Sequence, residues 1–324
     1  MKNEGKKTPL VLSASKIKTY LTCSWCYYVT YFLGFRGMDE SNDGAKRGTI
    51  SHLILQLFQN PKREKVRKLF LKKGLEGNGA IKRLILKHAK RLGVDDSENL
   101  SLVESFIQVG LKSDFLCEGW NLKEPEKKFE IESVDPEYKI LGYIDKHAIS
   151  PCCSICRIDD YKTSKQKFTG KDAKFNIQAL IYALALYKEG LYSKYFVNFI
   201  FLKFPKSPLQ SFEFDQKILK GFEVYLSDVY KYLKNFNVRK ACENFARDNE
   251  NYFLCGKEIG DINAKGDPAW VCPWKRPFLY WEIRDKDKNI KFTSKEQEKV
   301  LDKMVEGDTI AQKFYSGCPK FNRL

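Results

Sequence analysis

The chain has 324 residues and a mass of 37.7 kDa, enough for one large domain with insertions or two modest ones. With 43% hydrophobic residues, 23 Phe and 17 Tyr, it is far from the aromatic-poor composition of disordered chains, so disorder is excluded for the bulk. Its 57 Lys and Arg against 41 Asp and Glu leave a net charge of +16, which concentrates polyanions near the surface and makes nucleic acid the leading partner, the alternative being a merely solvated lysine-rich surface.

Met1 to Lys7 is polar, and the run Pro9 to Leu12 is shorter than the roughly 7 to 15 apolar residues of a secretory signal. The most apolar stretches, Ile177 to Tyr187 and Tyr195 to Phe204, fall short of the roughly 18 residues that span a bilayer. A soluble, intracellular protein is expected, cytoplasmic and without a membrane partner. In such a reducing compartment its ten cysteines bind metal or lie buried as thiols.

Ser13 and Ser15 can cap a first helix, with Ile17, Leu21, Tyr28 and Phe32 at helical spacing to about Gly34. A polar loop, Gly37 to Arg47, precedes a second helix that Thr49 can cap, with His52 in its first turn. From Pro61 to about Trp120 the pattern is helical and basic, either a DNA-facing insertion or a set of amphipathic helices with wet lysine faces. Period-two alternation then predicts three strands, at Phe129 and Ile131, at Ile140 to Asp145 and at Arg157 to Lys162. Residues 174–190 return to helix and 195–204 to strand, and a helix runs from Gln216 to about Asn237. A loop-rich stretch follows with Cys255, Pro268, Trp270, Cys272, Pro273 and Pro277, and residues 294–314 read as a final helix. The order implies a mixed α/β core. The parts are N-terminal helices of the core (1–60), a basic helical insertion (61–122), a catalytic core (123–215) and a helical, cysteine-containing region (216–324).

The chemistry concentrates in Gly142-Tyr143-Ile144-Asp145 and Asp160-Tyr161-Lys162. Alternate residues of a strand share a face, so Asp160 and Lys162 project together while Asp159 and Tyr161 point away. If the preceding strand pairs antiparallel with this one, Asp145 comes alongside, and two carboxylates with an adjacent ammonium make an oxygen site for Mg²⁺ or Mn²⁺ suited to phosphodiester hydrolysis. The competing interpretation is a surface Asp/Lys pair on a hairpin. Gln178 and Tyr182 are one helical turn apart and can hydrogen-bond phosphate, unless they are simply edge-of-core residues. His52 can complete the metal shell or merely pack. Cys23-x-x-Cys26 with Cys153-x-x-Cys156 would supply four thiolates for zinc if the fold joined them.

In order, spacing and residue type these elements resemble the RecB-like branch of the PD-(D/E)xK nuclease superfamily, which is related to CRISPR-associated adaptation nucleases and phage exonucleases. Ser13 to Cys23 resembles its first helix and Gly48-Thr49-Ile50-Ser51-His52 its histidine motif. Gly142 to Asp145 resembles its first acidic motif, Asp160-Tyr161-Lys162 its D-x-K motif and Gln178 to Tyr182 its Q-x-x-x-Y motif. The resemblance implies a restriction-endonuclease-like fold, a mixed central sheet flanked by helices. It further implies Mg²⁺ or Mn²⁺ on His52, Asp145, Asp160 and the Tyr161 carbonyl, catalysis by Asp145, Asp160 and Lys162, and Gln178 and Tyr182 holding DNA or the attacking water. Glu126 resembles an acidic residue placed before the first core strand of the family.

Many relatives also hold a [4Fe-4S] cluster on one N-terminal and three C-terminal cysteines. Cys23 and Cys272 match two of these, while Ala269 and Phe278 stand where the others would fall, so Cys255 and either Cys26 or Cys318 would complete the set. The function implied is a metal-dependent deoxyribonuclease, an exonuclease of recombination or repair compatible with a phage origin and with a helicase or recombination protein as partner. The alternatives are a non-catalytic DNA-binding or assembly subunit of the same fold, and an RNA-binding protein that stacks bases on its aromatics.

Overall fold

A computed structural model describes residues 10–35, 43–190, 192–243, 255–257, 260–264, 266, 268–269 and 271–321. The polar N-terminal residues 1–7, most of the 37–47 loop, Trp270 and part of the loop-rich C-terminal stretch lie outside the described residues. Contacts divide the chain into two compact units, residues 41–228 and residues 1–40 with 229–324. Among the described residues no helix is long and apolar enough to cross a membrane.

The larger unit is built on a five-stranded mixed sheet of order β1-β4-β5-β6-β7, the strands being β1 (Asn121–Leu122), β4 (Lys146–Ile149), β5 (Ile155–Lys162), β6 (Lys194–Phe201) and β7 (Leu209–Asp215). β4 runs antiparallel to β5, β5 parallel to β6, and β6 antiparallel to β7. The parallel pair requires a crossover, which α7 (Gly170–Lys174) and α8 (Ile177–Glu189) supply. A separate antiparallel pair, β2 (Lys127–Val134) and β3 (Glu137–Ile144), forms its own two-stranded sheet.

Helices α3 (Asp43–Gln59), α4 (Glu64–Lys73), α5 (Gly79–Leu92) and α6 (Ser97–Lys112) close a core of Ile54, Phe58, Phe70, Ile85, Phe106 and Ile107 that also takes in Tyr161 and Ile200 from the sheet. α5 shows how the basic helices are encoded. Asn78 caps it by accepting from Ala80 and Ile81 N–H, Gly93 ends it in the left-handed conformation, and Ile81, Ile85 and Ala89 form the buried stripe. At the α3–α6 contact a Cβ on Gly110 would stand 2.8 Å from Leu55.

Helix α9 (Gln216–Lys234) crosses the boundary at residue 228. The other unit contains α1 (Ala14–Thr22), α2 (Ser24–Tyr31), α10 (Val238–Glu243), α11 (Gln297–Leu301) and a sheet of order β10-β8-β9, with β8 at Phe278–Arg284, β9 at Ile290–Ser294 and β10 at Thr309–Tyr315. Phe35 anchors it in a ring of aromatics, 4.4 Å from Tyr280 and in contact with Trp274, Phe278 and Tyr315. Trp25 Nε1 donates to Tyr315 Oη at 2.8 Å, and that hydroxyl donates to the Trp274 carbonyl.

Several sequence expectations are corrected. The first helix is two, broken at Cys23, whose extended backbone ends α1 and begins α2. Thr49 caps nothing: its hydroxyl donates to the Ala45 carbonyl within a helix that already runs from Asp43, so His52 sits in the third turn. The strand expected to end on Asp145 stops at Ile144, and a new strand in another sheet begins at Lys146. Residues 294–314 are not one helix; Gly307, at φ 88°, stands between the short α11 and strand β10. β7 was not expected, although Phe212 and Phe214 alternate with exposed Ser211, Glu213 and Asp215 in a plain period-two pattern.

Candidate active site

Asp145 lies at the junction between the two sheets of the larger unit, after β3 and before β4. Its carbonyl accepts from Glu126 N–H at 3.1 Å, and its carboxylate Oδ2 accepts from Tyr161 N–H at 3.0 Å. The antiparallel pairing postulated for Asp145 is therefore present, but through β4, with Lys146 opposite Asp159. Glu126 takes a left-handed backbone, φ 52°, immediately before β2.

Helix α3 brings His52 to the same place. A Cβ on Gly48 would meet Thr163 Oγ1 at 2.8 Å, so the bare glycine lets the helix close on the residue that follows Lys162. His52 Nδ1 lies 3.3 Å from Asp145 Oδ2, and ligand atoms of His52, Glu126 and Asp145 all fall within 4.8 Å of one another. One imidazole and two carboxylates make a hard, oxygen-rich donor set of the kind Mg²⁺ and Mn²⁺ accept.

Asp160 and Lys162 share one face of β5. Lys162 Nζ makes an ion-pair contact 2.5 Å from Asp160 Oδ2, without the alignment of a hydrogen bond, and sits 5.2 Å over the Phe199 ring. The other carboxylate oxygen accepts from Gln178 Nε2 at 3.2 Å and from Tyr182 Oη at 2.9 Å. Asn176 caps α8 by accepting from Ala179 N–H, which places Gln178 in the first turn and Tyr182 one turn later, both over the strand. Gln178 also donates to Tyr182 Oη at 2.6 Å, so the helix pair braces Asp160.

The opposite face of β5 carries a buried charge network that the sequence reading did not anticipate. Asp159 and Lys146 are both 0% exposed and pair at 2.7 Å. Asp159 also accepts from Arg157 on both oxygens, at 2.9 and 3.0 Å, and from Asn198 at 2.7 Å. Lys146 donates to the Phe115 carbonyl at 3.0 Å and faces the Phe115 and Tyr161 rings. The signal available in the sequence was a second acid directly before the D-x-K aspartate, with an arginine two residues earlier on the same face.

Electrostatics separate the carboxylates. Burial raises the pKa of Asp145, but the His52 hydrogen bond and charge outweigh it and leave Asp145 below its usual range. Burial opposes protonation of His52 too, and Asp145 overrides it, so His52 is raised. Asp160 is raised, first by burial and then by the nearby Asp145 charge, against the pull of Lys162. Glu126 is raised by burial and by the same two aspartates. A divalent cation would relieve this crowding of negative charge. The site opens into a cleft of about 1210 Å³ lined by His52, Glu126, Tyr143, Tyr161 and Lys162 together with Arg47, Lys165 and Lys203.

In the other unit, Cys23, Cys26, Cys255, Cys272 and Cys318 line one small cavity. Cys26 hydrogen-bonds to the Cys23 and Cys272 thiols, which raises its own pKa and lowers that of Cys272. The four cysteines considered for a cluster, Cys23, Cys255, Cys272 and Cys318, line this cavity together with Cys26. Cys153 and Cys156 do not form a matching half-site, since Cys153 is exposed and Cys156 is fully buried.

The family model that describes the PD-(D/E)XK nuclease superfamily matches residues 11–251, and the chain belongs to that superfamily. Its members are nucleases that typically use divalent metals. The mixed five-stranded sheet flanked by helices is the restriction-endonuclease-like fold expected from the sequence. No curated protein matches the chain.

Proposed function

We propose that the protein is a Mg²⁺- or Mn²⁺-dependent deoxyribonuclease of the RecB-like branch, acting as an exonuclease in recombination or repair beside a helicase or recombination protein. The observation that carries this reading is the convergence of His52, Glu126 and Asp145 within 4.8 Å, next to an Asp160–Lys162 pair at 2.5 Å, at one end of an open cleft. His52, Asp145, Asp160, the Tyr161 carbonyl and Glu126 would hold the cation, which when bound supplies Lewis-acid charge to the scissile phosphate and makes water a nucleophile near neutral pH. Lys162 orients the attacking water and stabilises charge developing on the phosphate oxygens. The Phe199 face and Asp160 fix the ammonium between them, so it needs little reorganisation. Gln178 and Tyr182 lock the Asp160 rotamer, the supporting role that keeps a ligand in its productive geometry.

A [4Fe-4S] cluster in the smaller unit belongs to the same proposal, with Cys23, Cys255, Cys272 and Cys318 as ligands; bound there it would cross-link segments distant in sequence. Anaerobically purified protein should then be brown, absorb near ~400 nm as iron–thiolate clusters do, and lose iron when any of the four is changed to serine. Stoichiometric zinc in colourless protein would remove the cluster from the reading.

The nuclease reading is tested by incubating linear and circular, single- and double-stranded DNA labelled at either end with Mg²⁺, Mn²⁺ or EDTA, beside Asp160→Asn and Lys162→Ala proteins. Metal-dependent loss of linear DNA that both substitutions abolish is expected, and the label identifies the polarity. Cleavage that persists in both variants would refute it.

A further inference from the structure

The cleft beside the proposed metal-binding side chains also carries a cluster of cations. Arg47 on α3, Lys165 in the loop after β5 and Lys203 just beyond β6 all line it. Among the described residues, none of these three cations pairs with a carboxylate. Elsewhere in the same unit lysines and arginines commonly do, at Lys139, Lys146, Arg157, Lys188 and Lys194. Asp43, an acid on that wall, is engaged by Lys46 at 3.3 Å.

Two of the three are also held in place, Lys165 being exposed. Arg47 Nη1 donates to Asn99 Oδ1, and Asn99 is itself fixed by donating its backbone N–H to the Asp96 cap at 2.9 Å, while Arg47 Nε is buried with no hydrogen-bond partner. Lys203 Nζ lies 5.8 Å over the Phe106 ring. Burial, then repulsion from Arg47 and Lys165, lowers the Lys203 pKa. Clustered cations without counterions, on the wall of a cleft, form a site for a multivalent oxyanion.

We infer that Arg47, Lys165 and Lys203 form a subsite for a non-scissile phosphate of the nucleic-acid strand, one or two phosphates along the backbone from the bond that is cut. This rests on the nuclease reading for the position of the scissile phosphate. Lys165 follows Lys162 by three residues, and three residues span at most about 11 Å of chain, so a strand with one phosphate at Lys162 brings a near neighbour to Lys165. Contact with a non-reacting phosphate strengthens ground and transition states alike, so it lowers KM and leaves kcat unchanged. The subsite fixes the register of the strand and excludes substrates that lack a phosphate there.

The test compares the full-length protein with its Lys165→Ala/Lys203→Ala variant, with Lys203→Arg as the charge-conserving control. Binding of a labelled single-stranded oligonucleotide is measured in EDTA, where no cleavage occurs, across a range of salt. Losing one phosphate contact on a single strand should reduce the slope of log K against log salt by about 0.7 in the double variant, with the arginine control near the original slope. Oligonucleotides carrying one neutral methylphosphonate, moved stepwise along the strand, should weaken binding to the unsubstituted protein at one position and leave the double variant indifferent there. In cleavage, KM should rise with kcat retained. An unchanged salt slope, or a loss confined to kcat, would overturn the subsite. If the unsubstituted protein cuts nothing with either metal, the nuclease reading fails, and the salt slope and methylphosphonate scan still decide the subsite.

Discussion

Removing Asp159 should cost more than removing its partner Lys146. The Asp159 carboxylate is fully buried and receives five donors, two from Arg157 and one each from Asn198, Lys146 and, at 3.6 Å, the Cys117 thiol. Lys146→Met takes away one of them and leaves the guanidinium, so the loss should sit at or below the low end of the roughly 3 to 5 kcal/mol typical of breaking a buried pair, near ~2 to 3 kcal/mol. Asp159→Leu instead leaves a fully buried ammonium with only the Phe115 carbonyl at 3.0 Å and two aromatic faces, so ~4 to 5 kcal/mol is expected. In the double variant the stranded ammonium is gone, and its loss should fall short of the sum by about 1 to 3 kcal/mol. Urea unfolding followed by circular dichroism and by tryptophan fluorescence measures all three. Equal costs for the two single changes, or strict additivity in the double, would refute the asymmetry argued from the donor count.

Further predictions follow from the same geometry. Tyr182→Phe removes a 2.9 Å donor to Asp160 and Gln178→Ala one at 3.2 Å; each should weaken metal affinity or turnover on the order of 10-fold, and together by less than the product, because Gln178 also supports Tyr182. Gly142→Ala places a Cβ 2.3 Å from the Phe129 ring and should destabilise by about 1 to 3 kcal/mol, with partial rescue by Phe129→Leu in thermal melts. His147 is 6% exposed, and burial, then Lys127 and Lys123, lowers its pKa from 6.5 to about 4. Below 6.5 the unfolded chain takes up the proton first, so this contribution is full above that pH and is lost as pH falls toward about 4, by about 3 kcal/mol at most. His147→Gln should flatten the stability profile over that window, and an unchanged profile would remove His147 as its source.

The acidic and D-x-K motifs were legible because strand periodicity alone predicts which side chains share a face, and Asp160 and Lys162 do meet there. Helical spacing likewise predicted that Gln178 and Tyr182 act together, though not that Asp160 would be what they hold. What escaped the sequence depends on long-range pairing. No local pattern indicates that the chain changes sheets at Asp145, since Ile144 and Lys146 both continue an extended backbone and only the partners differ, β2 for one strand and β5 for the other. The break at Cys23 is equally unmarked in its neighbours, since Ser24, Trp25 and Cys26 run on as helix directly after it.

The two faces of β5 explain why so short a motif can place a reaction centre. Lys162 lines the cleft with Asp160 paired beside it, whereas Asp159 is locked to Lys146, Arg157 and Asn198 and Tyr161 packs into the helical core. Side chains alternate with a period of two, so a slip of one residue would send Asp159 to the metal site and bury Asp160 against Lys146. Both residues are aspartates, and the sheet face alone cannot tell them apart. The discrimination comes from neighbours two residues away: Arg157 shares the inner face and finds Asp114 beside it, while Lys162 shares the outer face and settles over Phe199. The buried network thus does more than stabilise the sheet, because the register it fixes decides which of two adjacent carboxylates meets Lys162, Gln178 and Tyr182.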